Sequence, residues 1–237
     1  MYGEAPLLPR RTGQRGGAHA EVHLVGGAAG PLGGDDLRID VEVRPGARLV
    51  VRTVAASLAQ PSHPSAPSTL TVTVTVARNG ALAWLPEPTI AVTGCDHLNR
   101  SIVDVDEGAE LLWREEIVAG RHGEPPGDLG MAMTVRYAGR TLLRLDLAIG
   151  PRAKGWKGPA VIGGHAAGTL LIVGSEAPLE PATITPTAAL MPLAHGPAAL
   201  VSATGEDARA VRAALEKAAI NTWAHDPDAK TGNCREG

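Results

Sequence analysis

The sequence predicts a mainly β protein, strands and turns stacked in series with one helix packed on them, and three observations carry that prediction. Strict two-residue alternation of apolar and polar side chains marks several half-buried strands. A strand–turn–strand pattern recurs along the chain. The apolar stock is Val, Leu, Ile and Ala: 44% of the 237 residues are hydrophobic but only 3% aromatic, with no Phe. A core of that kind suits strands and tight turns better than a bundle of long helices.

Taken in order, residues 1–17 are basic, Gly-rich and aperiodic, and read as a loose arm whose first few residues could form a short edge strand. Residues 18–225 read as one β-rich domain. Its first strand is Ala18 to Leu24, with small and apolar residues on one face. The glycine-rich stretch Gly26 to Asp35 is a loop. From Leu37 alternation returns, with Leu37, Ile39, Val41 and Val43 on one side and Arg38, Asp40, Glu42 and Arg44 on the other. Pro45-Gly46 then turns the chain into Leu49-Val50-Val51. Three prolines between Gln60 and Ser68 make a surface loop. Thr69 to Val76 follows as the clearest strand, with a threonine face that can be wet and a Leu/Val face that is buried.

The segment Val41 to Arg52 matches Val103 to Arg114, both reading V-acid-V-x-x-G-A-x-L-apolar-apolar-R. Shorter copies stand at Asn79 to Trp84 and Ala138 to Leu143. Such units suggest hairpins stacked along an axis, each covering its neighbour's apolar face; an ordinary all-β chain that reuses hairpin chemistry gives the same pattern. A helix runs from Glu206 to about Ala219, with Thr204 and Asp207 as a Thr-x-x-acid cap and Ala208, Val211, Leu215 and Ala218 as its apolar stripe. Residues 226–237 form a polar tail.

The charge balance, 22 Lys+Arg against 25 Asp+Glu, argues against a dedicated nucleic-acid binder. No apolar run suggests a membrane span. The first residues lack the basic and apolar regions of a secretory signal. Two distant cysteines, Cys95 and Cys234, point away from a disulfide framework and towards the cytoplasm. Gly150 to Gly155 has P-loop glycine spacing, but Trp156 follows where Lys-Ser/Thr is required. No H-E-x-x-H, C-x-x-C or G-x-S-x-G occurs, so the chain is read as a non-enzyme.

Metal-ligand chemistry has two weak candidates. His19, Glu21 and His23 share one strand face, and two imidazoles with a carboxylate suit Ni²⁺, Zn²⁺ or Cu²⁺. Alternate strand positions lie roughly 6.6–7 Å apart, too far to chelate one ion without a bend or a second strand, so a solvated polar face is the favoured reading of them. Cys95 and His97 flank Asp96 beside Gly94 as a second soft-ligand cluster, or as a chance loop. Glu115-Glu116 and Glu124 read as ordinary surface charge.

Four blocks, in order, resemble the UreD (UreH) family of urease accessory proteins over roughly residues 18–174. Gly30-Pro31-Leu32-Gly33-Gly34-Asp35-Asp36-Leu37 is similar to its G-G-L-x-G-G-D-x-L segment. Trp84-Leu85-Pro86-Glu87-Pro88-Thr89-Ile90 is similar to its W-L-P-Q/E-x-T/L-I block. The turns Pro45-Gly46-Ala47 and Glu107-Gly108-Ala109 resemble its repeated P-G-A-x-L pattern, and Gly120-Arg121 with Gly123-Glu124 its G-R-x-x-x-G-E motif, shortened here. Only Val25 to Ala29 separates the first strand from the glycine loop, where the family has a longer, Arg-Pro-rich stretch.

The resemblance implies a β-helix-like stack with one or two packed helices and no catalytic residues. It implies a maturation factor that binds UreF directly and the GTPase UreG through it, sits on apo-urease, and assists nickel insertion. Transient Ni²⁺ is the implied cargo, with no tightly held cofactor. An internal route for that ion would need weakly ligating groups along a polar lumen, which nominates Asp35, Glu87 and Glu124 as lining residues; each can instead cap a turn or pair with an arginine such as Arg121. Gly33, Gly34, Trp84, Pro86, Gly120 and Arg121 are the block residues expected to shape the fold. A pure docking scaffold and a β-rich binding module are the alternatives.

Overall fold

A computed structural model describes residues 1–13, 16–156, 162 and 164–219. Sixteen strands and one helix make up these residues. The expected mainly β stack is what they form. Strands β3 (Asp36–Val43), β6 (Ser68–Val76), β9 (Asp96–Val105) and β11 (Asp128–Tyr137) lie parallel in one sheet, closed by antiparallel β12 (Arg140–Ile149). Facing it, β2 (Ala20–Gly26), β4 (Arg48–Thr53), β7 (Ala81–Leu85) and β10 (Glu110–Val118) run parallel in an eleven-stranded sheet. That sheet continues antiparallel through β13 (Ala166–Val173), β16 (Ala198–Gly205), β15 (Ala188–Pro192) and β14 (Ala182–Thr185).

The repeated strand–turn–strand units are therefore arches from one sheet to the other, not hairpins within one. Val43, Val76 and Val105 align across the first sheet, and Leu49, Leu82 and Leu111 across the second, so the turns between them stack. At the equivalent turn position stand Gly46 (φ 69°), Asn79 (φ 59°) and Gly108 (φ 76°). One left-handed residue redirects each arch, and glycine and asparagine tolerate it best. The fourth copy differs. Ala138 (φ 49°) and Gly139 (φ 77°) are consecutive left-handed residues, the condition for a tight hairpin, and β11 and β12 pair antiparallel.

Between the sheets, valines of β6 and β9 pack on Leu82, Leu111 and the stacked pair Trp84–Trp113, whose rings lie 5.1 Å apart at 12°. The helix α1 (Ala208–Ala219) covers the outer face of the larger sheet with Val211, Ala214 and Leu215. It starts two residues later than the sequence predicts. Asp207 itself is the cap, accepting a hydrogen bond from the Ala210 N–H at 2.8 Å.

Part of the segment read as a loose arm is ordered as β1 (Leu7–Arg11), paired antiparallel with β2 at the sheet edge. Its half-buried Leu7 and Leu8 supply the apolar contacts that composition averaged over residues 1–17 conceals. The tail at 226–237 lies outside the described residues.

Candidate functional site: a polar file between the sheets

The Trp84–Ile90 block determines the site. Pro86 and Pro88 lack backbone donors and cannot continue a ladder. β7 accordingly stops at Leu85, and β8 (Thr89–Ala91) resumes the sheet beyond Glu87. β10 passes alongside both, pairing with β7 over residues 110–113 and with β8 over residues 117–118. Its residues 114–116 thus run beside a break in the sheet. The neighbouring row breaks as well, between β4, which ends at Thr53, and β5 (Ser57–Ala59).

Behind the break the space between the sheets is not filled. A cavity of about 60 Å³ is lined by Trp84, Glu87, Asn99, Ser101, Glu115 and Glu116, among others. A second, of about 90 Å³, shares Leu24, Thr53, Ser57, Leu70 and Asn99 with it and extends to His97. Each exceeds the roughly 10–15 Å³ that one water requires.

Polar side chains form a file along β9. His97 Nδ1 lies 2.8 Å from Ser68 Oγ, and Nε2 lies 2.9 Å from Asn99 Oδ1. Asn99 Nδ2 donates to Thr89 Oγ1 at 3.0 Å and turns Oδ1 to His97; in the neutral imidazole that pairs with this arrangement Nε2–H donates and Nδ1 accepts. Ser101 Oγ and Trp113 Nε1 both donate to Glu115 Oε1, at 2.6 and 3.0 Å. Burial pushes the His97 imidazole below its ordinary value and the Glu115 carboxyl above its own.

Glu116, the next residue, points to the opposite side of β10 and is 4% exposed. Arg212 of α1 reaches it at 2.6 Å and reaches Glu87 at 2.7 Å. Burial alone would lower the Arg212 guanidinium, but the carboxylates of Glu116 and Glu87 outweigh it and raise it. Arg114 Nη2 donates to the Pro86 carbonyl at 3.1 Å, while its buried Nε has no hydrogen bond and stands 3.4 Å from Glu116 Oε2. Glu115-Glu116, read from sequence as surface charge, are therefore an interior group and a buried ion-pair member. Two adjacent glutamates carry no alternation signal; the break opposite them, set by the two prolines, is the feature that could have found them.

The other nominated residues lie apart from this file. Asp35 caps the glycine loop, its Oδ2 accepting the Leu32 N–H at 2.8 Å. Glu124 takes two hydrogen bonds from Arg121, at 2.8 and 2.5 Å, and these hold its carboxyl below the usual range. Glu21 pairs with Arg52 at 3.5 Å, His23 Nδ1 lies 2.8 Å from Thr12 Oγ1, and His19 is exposed just before β2. Cys95 is buried apart from His97's file, with Sγ 3.6 Å from the Asp128 carbonyl and its thiol pushed up to about 11, chiefly by burial. Gly33 and Gly34 donate backbone N–H groups to Gln60 and Pro67, fixing the loop beneath β3, and Gly120 leads the turn that carries Arg121. Among the described residues, no three His, Cys, Asp or Glu side chains gather so as to hold a metal ion. No helix among them is long and apolar enough to cross a membrane.

Comparison with known proteins bears out the resemblance read from the blocks. The family described as UreD urease accessory protein matches residues 1–230. The chain is 47% identical over 225 residues to urease accessory protein UreD 3 of Streptomyces griseus, covering 92% of this chain and 87% of that protein. It is 44% identical over 237 residues to urease accessory protein UreD of Parafrankia, covering 90% and 79%. Urease accessory protein UreD 1 of Saccharopolyspora erythraea is 34% identical over 94% of this chain and 86% of its own length. With a match along nearly the whole sequence, and with the arch turns and the Trp-Leu-Pro-Glu-Pro break in place, this chain belongs to the UreD family of urease accessory proteins.

Proposed function

We propose that the chain serves urease maturation as a non-catalytic adaptor in the cytoplasm, docking UreF directly, and UreG through it, onto apo-urease, while its inter-sheet cavities give Ni²⁺ a route towards the enzyme. The observation that carries this reading is the polar file His97–Asn99–Ser101–Glu115 along two adjoining cavities inside a β stack. Single carboxylates and neutral oxygen or nitrogen donors spaced along a lumen bind a divalent cation weakly and release it, whereas a complete ligand cage would retain it. Glu87 is the nominated lining residue that borders this space; Asp35 and Glu124 serve a turn and a surface pair.

The candidates for contacting UreF are α1, the turn from Gly150 or the segment from Pro178 to Pro197, where Leu179 and Met191 leave 73% and 42% of their surface exposed. Exposed apolar side chains of that size suit a partner interface. The test replaces Glu87 by Ala in the full chain. With UreF co-purification retained, urease activation and its nickel content fall together. Wild-type activation ends the passage role of Glu87 and leaves docking as the function.

A further inference from the structure

The break in the larger sheet has a cover, and the cover carries a charge. Glu115 and Glu116 are neighbours on β10, so their side chains leave opposite faces of the sheet: Glu115 towards the cavity, Glu116 towards α1. Yet Glu116 and Glu87 line the same cavity as Glu115 and Ser101. One space therefore borders residues from both faces. It does so where β7 has ended and β8 has not begun, so the Pro86-Glu87-Pro88 break is a window through the sheet. Arg212 lies across it from the helix side, bonding Glu87 with Nη1 and Glu116 with Nε and Nη2. On the inner side, the half-buried Glu115 carboxyl takes the Ser101 and Trp113 donors on Oε1 and borders the cavity.

We propose that Arg212 is the gate of this window: seated between Glu87 and Glu116 it fills the opening with the protein's own cation, and its withdrawal opens a way in from the helix side and leaves two carboxylates facing a small divalent cation. The lining favours a cationic visitor: the opening is edged by the carboxylates of Glu87 and Glu116, and a third, Glu115, borders the same space. A guanidinium satisfies such a pair by bidentate hydrogen bonding, and a hard divalent ion satisfies it by coordination, so the two compete for the same oxygens. The gate deepens the passage reading and rests on it for its biological cargo. Its opening is a property of this chain alone and is tested without urease.

The probe is thiol accessibility in the full chain. Ser101→Cys places a thiol in the cavity wall, and two methanethiosulfonate reagents of similar size, one cationic and one anionic, report on access by the mass of the peptide carrying residue 101. The parent chain, with Cys95 and Cys234, sets the background. Gate action predicts slow labelling of Ser101→Cys by both reagents, and labelling by the cationic reagent at least about tenfold faster once Arg212→Ala is added. An unchanged rate overturns the gate, and equal acceleration of both reagents overturns its selection of cations. Arg212→Ala leaves buried Glu116 with only Arg114, so Arg212→Ala/Glu116→Gln, which removes that charge and keeps Glu87, is measured beside it, with circular dichroism melts confirming the fold of each. In the double variant the cationic reagent should still be accelerated, by less than in Arg212→Ala because Glu87 alone then carries charge at the opening. Normal urease activation by a chain whose window opens as described would retire the passage reading and leave the gate standing; the gate fails on labelling alone.

Discussion

Burial sets the protonation of two interior groups in opposite senses, and each leaves its mark on stability. Neutral His97 accepts from Ser68 and donates to Asn99, joining β6 and β9 of one sheet to β8 of the other through Asn99 and Thr89. Its folded value lies below the unfolded one of about 6.5, so the unfolded chain takes up the proton first. The stability held by neutral His97 is complete above about pH 6.5 and is lost as pH falls below it. Urea midpoints should drop between pH 7.5 and 5.5, and His97→Gln should flatten that part of the dependence. Glu115 runs the other way. With its folded value raised, its contribution is complete below the ordinary carboxylate range and is lost as pH rises through the folded value. Glu115→Gln keeps an oxygen for Ser101 and Trp113, and should stabilise the chain by about 1 kcal/mol at pH 7.5 and by less at pH 5. Equal shifts at both pH values would contradict the assignment. His97 could be singled out from sequence as a soft donor, but its partners could not, because Ser68 and Thr89 come from other strands. The proposed His19–Glu21–His23 face fails to gather for the reason its spacing gives: β2 stays extended, and the neighbouring strand offers Arg52, a counter-ion for Glu21.

At the scale of elements, the alternating segments were legible and their connections only half so. Residues 37–43 and 69–76 form β3 and β6 as read, because period two with one wet face admits little else. The echo between Val41–Arg52 and Val103–Arg114 was visible too, but a turn sequence does not say whether the chain returns within its sheet or crosses to another. That choice lies in the number of left-handed residues, one at Gly46, Asn79 and Gly108 and two at Ala138-Gly139. Replacing Gly108 with Ala should cost about 1–2 kcal/mol in urea unfolding, because alanine resists φ near 76°. Asn79→Gly should stay within about 0.5 kcal/mol, since glycine accepts the same conformation. A mild Gly108→Ala would mean that the arch does not depend on that geometry. The later strands β13 and β16 were missed for another reason. β13 is buried along its whole length and β16 nearly so, so neither shows alternation.

At the scale of the molecule, two sheets joined by arches enclose a core that is apolar at the turn end, around Val76, Val105, Leu82 and Leu111, and polar at the other, around His97 and Glu115, with Trp84 and Trp113 between them. The sequence showed the stack and the family blocks, but the cavity belongs to no single block. It arises where the prolines of one row and the β4–β5 break of the next lie side by side. That arrangement leaves two adjoining cavities with polar linings inside a member of the UreD family of urease accessory proteins. The most direct test reconstitutes apo-urease with UreF, UreG, GTP and Ni²⁺, with and without this chain, and measures nickel per urease active site together with urease activity. Near-complete loading and activity with the chain, and little of either without it, is the predicted result; equal loading in its absence would contradict the account.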